Sequence, residues 1–302
     1  MGETLAETLS EPARQRSGRT ALIIVIVVLA LVGAGVGVWL TTSRSSGPNK
    51  ADVVRLDKER TIVDTSMNLY DPLVQQFTAR YTNAVSEDAE KPEIEQVLSK
   101  EGEVLQRESR ANLDRLEHMT TSPALQAKDV ADAFGAFKEH YGAVIAYQDQ
   151  QVINTVNITR SVGGPCAPLH TELNVASETY PEDYVKTADA CLAALAGAKD
   201  KADAETVQLL TDIEKVIKEQ RDKQQKAVEA KSEFERLALK TTAAVGLLDI
   251  NQAFAKARTT YETTVKAKQT KLVEDANNSN KALETALKKS LESYSAASGG
   301  GN

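Results

Sequence analysis

Aromatic residues are scarce in this sequence, at 5% of 302 residues with a single tryptophan. So few aromatic side chains disfavour a β-sandwich, in which large ring and β-branched side chains fill the core. Alanine, lysine, glutamate, glutamine and leucine are abundant, and all of them favour helices. We therefore predict an all-α fold: one N-terminal transmembrane helix followed by an extracytoplasmic, elongated helical bundle with long antiparallel helices.

Catalytic motifs are also missing. The sequence contains no G-x-S-x-G, no Walker A loop, no G-x-G-x-x-G and no H-E-x-x-H, and these motifs mark the common hydrolase, phosphate, dinucleotide and zinc sites. The three histidines, His118, His140 and His170, lie in different segments. His170 and Cys166 together offer a metal only two ligands, which is too few for a closed site. We therefore expect no enzymatic activity, no metal and no cofactor.

Basic residues are fewer than acidic ones: the sequence has 36 Lys and Arg residues and 43 Asp and Glu residues, and its formal net charge is -7. Acidic and basic residues balance within residues 1–20, so the negative excess lies in the rest of the chain. Because binding to nucleic acid needs a basic face, we expect no nucleic-acid partner.

The one long apolar run covers residues 21–40 and contains no charged side chain. At 1.5 Å per residue it spans roughly 30 Å, the thickness of the hydrocarbon core of a bilayer. A cleaved signal peptide is the alternative, but its apolar region is shorter and ends at a small-x-small site. The run therefore predicts an uncleaved transmembrane helix and the membrane as a partner.

The orientation of this helix does not follow from charge, because basic residues flank both ends equally. Long domains cross membranes largely regardless of charge, and a cysteine pair suits an oxidising compartment. We expect a single-pass protein of a cell membrane, bacterial by its composition, with a cytoplasmic N-terminus and an extracytoplasmic C-terminal domain.

Small residues line one side of the predicted membrane helix. Gly33 and Gly37 form a G-x-x-x-G pair, and Ala30 and Ala34 add a second small-x-x-x-small step. This spacing lets two helix backbones approach closely and favours self-association. The alternative is that glycine and alanine are simply common in membrane helices.

Cys166 and Cys191 are the only cysteines. An even pair without a C-x-x-C motif favours a structural disulfide, and two unpaired thiols are the alternative. The bond closes a loop of about 25 residues, which stabilises the fold by about 3–4 kcal/mol in the chain-entropy model.

Proline, glycine and clusters of polar residues interrupt helices, and their positions predict where the segments of the chain begin and end. The segments are a cytoplasmic tail at 1–20, the membrane helix at 21–40, a linker at 41–50, a first helical part at 51–162, a loop at 163–180, a second helical part with a long helical hairpin at 181–297, and a disordered tail at 298–302. Within the first helical part, Asp71-Pro72 resembles a cap followed by a first-turn proline and predicts that a new helix starts there.

The predicted hairpin has its break at 241–248, because Asp249 and Gln252 fit a helix cap. Apolar residues then recur every eleven positions, which is typical of a long, nearly straight helix. The band 218–226, between Ile217 and Ala227, contains no apolar residue, and a chain reversal at 241–248 would place it opposite Lys266–Lys271. It is either a polar layer that fixes the register of the helices or a stretch wetted on all sides.

These features indicate a membrane-anchored interaction or scaffold protein that binds another envelope protein or a second copy of itself. The alternative is a sensory or ligand-binding ectodomain that signals through a separate partner, because only about 20 residues precede the predicted membrane helix.

Overall fold

A computed structural model describes residues 48–82, 92–171 and 173–299. The predicted membrane helix at 21–40, with its packing residues Gly33, Gly37, Ala30 and Ala34, lies outside the described residues, as does the tail at 1–20. Of the tail predicted to be disordered at 298–302, residues 298 and 299 are helical and the rest lie outside the described residues. None of the described helices combines the length and the apolarity needed to cross a bilayer.

The described part consists of helices joined by short turns, with no strand among residues 48–82, 92–171 and 173–299, which confirms the all-α prediction for these residues. Six long helices carry the fold: α1 Lys50–Thr82, α2 Pro92–Met119, α3 Lys128–Ile158, α4 Tyr180–Lys199, α5 Ala204–Val228 and α6 Glu233–Gly299. Helix α6 packs along α3, α5 and α1, and runs antiparallel to α5.

Two large hydrophobic cores lie among the described helices, and a smaller cluster of Leu209, Ala257 and Tyr261 joins α5 to α6. The first lies among α1, α2, the first half of α3 and the last third of α6, and it includes Leu56, Phe137 and Leu283. The second lies among the end of α3, α4 and α5, and it includes Cys191 and Leu195. Helix α3 belongs to both cores because its buried face runs from Val130 to Ile158.

The break in the hairpin is not at 241–248. Helix α5 ends at Val228, and α6 continues from Glu233 through that interval. Ser232 accepts a hydrogen bond from the Glu235 N–H at 3.2 Å, and the Glu235 carboxylate accepts one from the Lys231 N–H at 3.3 Å. A serine followed three residues later by glutamate is a capping pattern, so α6 starts here.

Because the hairpin turns at 229–232 and not at 241–248, the polar band 218–226 lies opposite other residues than predicted. Lys268 pairs with Glu205 at the start of α5, at 2.8 Å, so Lys266–Lys271 lies far from the band along the hairpin. Within the band, Gln220 and Gln224 are buried while Asp222 and Lys223 are exposed. The band is therefore neither wetted on all sides nor matched with Lys266–Lys271.

Two predicted interruptions are helical in the structure. Helix α1 continues through Pro72, so the predicted start of a new helix there is wrong. The predicted loop at 163–180 begins with a wide helical turn at Thr159–Gly163 and two short helices, Gly164–Cys166 and Pro168–Thr171. Pro165 and Pro168 sit at the beginning of the two short helices, where the missing N–H of proline costs nothing.

Candidate functional site: a polar cleft and an exposed hairpin tip

The two cysteines predicted to pair lie at disulfide-bonding distance, with their Cα atoms 4.7 Å apart. Cys166 ends a short helix after α3, and Cys191 lies in the middle of α4 with its side chain fully buried in the second core. The pair therefore attaches the irregular segment 159–171 to α4, which is a structural position.

The histidines are not brought together. His118 is exposed near the end of α2, and His140 is half-buried in the middle of α3. No set of three His, Cys, Asp or Glu side chains is placed to bind a metal ion within 48–82, 92–171 and 173–299.

A cleft of 560 Å³ is lined by residues of α1, α3 and α6. This volume lies within the range of about 300–1,000 Å³ that is typical of small-molecule sites. Its walls come from Asp71, Val74, Gln75, Thr78 and Ala79 of α1, from Tyr147, Gln148 and Gln151 of α3, and from residues of α6 between Tyr261 and Val273.

A carboxylate ringed by amides forms one side of the cleft. The Asp71 Oδ1 atom accepts hydrogen bonds from the side-chain amides of Gln148 and Gln269, both at 2.6 Å. The other carboxylate oxygen accepts one from Gln75 at 2.7 Å. Hydrogen bonds to an ionised acceptor are the stronger kind, so Asp71 fixes the orientation of three glutamine side chains from three helices.

The cleft floor continues into a buried polar network. The Tyr261 hydroxyl donates to the Gln151 Oε1 atom at 3.2 Å, and the Gln151 amide donates to Asp203 at 3.2 Å. Burial raises the pKa of Tyr261 to about 12 although a hydrogen bond with Thr206 opposes this shift. The phenol therefore stays protonated at neutral pH and serves as a hydrogen-bond donor.

An ion pair and an aromatic ring lie beside the cleft. The Lys268 ammonium is 5.1 Å from the centre of the Tyr147 ring and 2.8 Å from a Glu205 carboxylate oxygen. The hydrogen bond from Lys268 lowers the pKa of Glu205. Burial raises the pKa of Tyr147, whose hydroxyl donates to the Val265 carbonyl at 3.1 Å. These contacts hold α3, α5 and α6 in register next to the cleft.

A second feature lies at the end of the hairpin formed by α5 and α6, which we call the hairpin tip, residues 229–241. Phe234 is 84% exposed and Leu237 is 60% exposed. They are three positions apart and therefore lie on one face of α6. Arg236 binds the Glu182 carboxylate at 2.7 Å, and Lys240 donates to the Ser177 carbonyl at 2.5 Å, so α4 and the preceding loop fix the tip.

No residue of the cleft or of the hairpin tip was predicted as a site from the sequence. The cleft draws on residues as far apart as Asp71 and Gln269, and no short motif connects them. One signal was present: the apolar stripe of α3 is interrupted by Gln148 and Gln151 on its core-facing side. Buried polar residues in such a stripe mark a place where a polar partner is needed.

Comparison of the chain with protein-family models, with curated proteins and with solved structures finds no match.

Proposed function

We propose that this chain is a membrane-anchored helical interaction protein of the cell envelope, and that the hairpin tip carries its partner-binding surface. The observation that supports the proposal is the exposure of Phe234 and Leu237 on one face of a fixed helix end. Leaving such side chains in water forgoes about 1.5–3 kcal/mol each. A partner that covers them recovers this free energy.

The position of the hairpin tip, far along α6 from the start of the described domain, leaves it accessible to a partner. The Tyr294 hydroxyl donates to the Pro48 carbonyl at 2.8 Å, so the last turns of α6 lie beside the point where the chain enters the described domain. Phe234 and Tyr294 lie near opposite ends of the same helix, about 90 Å apart at 1.5 Å per residue. The tip and the point where the chain enters the described domain therefore lie near opposite ends of α6, which leaves the tip clear of that entry point.

The chemistry of the tip favours a protein partner with an apolar groove. Apolar side chains three residues apart on a helix are the anchors of the helix-in-groove mode of recognition. Glu233 and Glu235 are exposed beside these anchors and form a polar rim, as is usual around the centre of an interface.

The test is crosslinking in native membranes of the source cells, followed by affinity capture of the full-length chain and mass spectrometry. We expect a stoichiometric envelope protein with the wild type and at least a tenfold lower yield with the variant Phe234→Ser/Leu237→Ser. The matched control is Leu113→Ser, which removes a leucine that is 40% exposed on α2.

Equal capture by the wild type and the tip variant would contradict the proposal. Equal loss from the tip variant and from Leu113→Ser would contradict it as well, because the effect would then not be specific to the tip. Recovery of a second copy of the chain in place of another protein would replace the proposed partner with self-association.

The second candidate is a ligand-sensing ectodomain, and the cleft is the observation that favours it. The cleft lies between the two hydrophobic cores, so a bound molecule would contact α1, α3 and α6 at once. A ligand that prefers one arrangement of these helices would shift their packing.

A further inference from the structure

The side-chain oxygen of Gln148, Oε1, is a buried polar atom of the cleft without a hydrogen-bond partner in the described part of the chain. The Gln148 side chain is 1% exposed and lines both the cleft and a smaller adjoining cavity of 110 Å³. Leaving a buried carbonyl oxygen without a donor is unfavourable, so a ligand that supplies a donor would complete the site.

The orientation of this amide is set by its surroundings. The Gln148 nitrogen donates to the Asp71 carboxylate at 2.6 Å, and a flipped amide would place two oxygen atoms against each other. The unpaired atom is therefore the acceptor, and a ligand must offer an O–H or N–H to it.

The neighbouring side-chain amides of Gln75 and Gln269 can bind both hydrogen-bond donors and acceptors of a ligand. Gln75 and Gln269 each use one N–H on Asp71, which leaves an N–H donor and a carbonyl acceptor on each of these amides. A hydroxyl group both donates and accepts a hydrogen bond, so neighbouring hydroxyls on one molecule complement such amides.

The charges that line the cleft nearly cancel. Asp71 and Lys266 carry opposite charges, and Glu262 is paired with Arg258 at 2.8 Å. A site for an anion needs a surplus of donors with positive charge, and a site for a cation needs unpaired carboxylates. This balance favours a ligand without net charge.

The remaining wall is apolar. Val74, Val265 and Val273 line the cleft from α1 and α6. A ligand that fits therefore has an apolar C–H face next to its polar groups, as is usual in small-molecule sites with few oriented polar contacts.

We infer that the cleft binds a neutral, hydroxyl-rich small molecule of disaccharide size, with one hydroxyl donating to Gln148. The inference rests on the second candidate function, ligand sensing, and is independent of the proposed interaction at the hairpin tip. Its test reads binding directly and does not involve the captured partner, so the two proposals fail separately.

The experiment titrates the purified full-length chain with trehalose, maltose and N,N′-diacetylchitobiose, in a zwitterionic detergent without a sugar headgroup. Binding is followed by saturation-transfer NMR and calorimetry, because sugars also raise melting temperatures non-specifically through exclusion from protein surfaces. Glucuronate and spermidine serve as the anionic and cationic probes. We expect saturable binding of at least one disaccharide and of neither charged probe.

The variant Gln148→Met keeps the length of the side chain but removes its amide, and we expect it to weaken disaccharide binding at least tenfold. Gln208→Met is the matched control, since the Gln208 amide donates to Asp212 at 2.9 Å on an exposed face of α5. Its affinity should stay within twofold of wild type.

A second cleft variant distinguishes a loss of ligand contact from misfolding of Gln148→Met. Gln269→Met removes an amide from the half-buried wall of the cleft, outside the buried floor, and should also weaken binding while the melting temperature without ligand stays near that of wild type. The inference is overturned if none of the three disaccharides binds, if binding is unchanged in both cleft variants, or if a charged probe binds with the same dependence on Gln148.

Discussion

Glu214 is the clearest charged link between two helices at the residue scale. Its carboxylate on α5 accepts hydrogen bonds from Lys199 of α4 and from Lys218, the latter at 2.5 Å. These bonds lower the pKa of Glu214, with the Lys199 bond contributing most. The ionised form is therefore favoured more in the folded chain than in the unfolded chain.

We expect Glu214→Gln to reduce the free energy of unfolding at pH 7 by about 1 kcal/mol, the order of a partly solvated charged hydrogen bond. A lowered folded pKa gives stability that is present above the unfolded pKa and is lost as the pH falls through the folded pKa. The variant and the wild type should therefore converge at low pH. Urea unfolding at several pH values measures this.

Asp212→Asn is the control, because Asp212 is on the same helix but accepts only an exposed amide bond from Gln208. A constant difference between Glu214→Gln and wild type from pH 7 down to about pH 2 would show that the charge does not matter.

Individual core residues of α3 could be predicted from the sequence, but those of α2 only in part. Phe134, Phe137 and Tyr141 recur at helical spacing in the sequence, and all three are buried. On α2, Leu113 has the helical spacing of the buried Leu116, yet Leu113 is exposed and its neighbour Asn112 is buried. Asn112 accepts a hydrogen bond from Ser66 of α1 at 2.7 Å. Hydrophobic periodicity does not detect a polar residue that is buried with a partner.

At the element scale, hydrophobic periodicity and capping patterns predicted the long helices but misplaced some of their ends. Asp71 has the sequence of a helix cap, yet its carboxylate is occupied by three glutamine amides, two of them from other helices. The Asp71 carboxylate does not cap a new helix, and Pro72 lies inside a continuous one. The start of α6 was detectable, because Ser232 and Glu235 form a capping pattern that resembles the one read at Asp249.

The cysteine pair attaches one element to another, and its contribution can be measured by reduction. We expect reduction of the purified chain to lower the free energy of unfolding by about 2–4 kcal/mol, because the unfolded state then gains the freedom of a loop of about 25 residues. Chemical unfolding with and without reductant measures the change.

The variant Cys166→Ser/Cys191→Ser is the control for this experiment, since reductant should leave its stability unchanged. If the wild type is equally stable with and without reductant, the two thiols are not joined in the isolated protein.

At the scale of the whole molecule, α3 and α6 connect the two cores. Four buried polar residues of α3, Gln148, Gln151, Asn154 and Thr155, lie between the apolar residues of one core and those of the other. This layer and the cleft beside it could not be predicted from the sequence, because they depend on which helices pack against one another. The apolar repeat of α6 predicts a long helix but not its neighbours.

We expect the two cores to unfold in one transition, because α3 is shared between them. Leu283→Ala in the first core and Leu195→Ala in the second each truncate a fully buried leucine. Each should cost about 2–5 kcal/mol and should lower the melting temperature of the same single transition. Differential scanning calorimetry measures both.

Two calorimetric transitions, of which Leu195→Ala shifts only one, would show that the cores unfold independently. The exposed leucine variant Leu237→Ala should leave the transition within about 0.5 kcal/mol of wild type and is the control for leucine truncation.

The course of α6 also determines how the domain would respond to mechanical force. Because this helix runs from the hairpin tip to the contact between Tyr294 and Pro48, a pull between those points acts along its axis. The side chains packed along α3 and α5 would then be loaded in shear and would have to slip together. Resistance to such a pull is set by the rate of unfolding and not by equilibrium stability, so the force response of the domain depends on how slowly these packed faces separate.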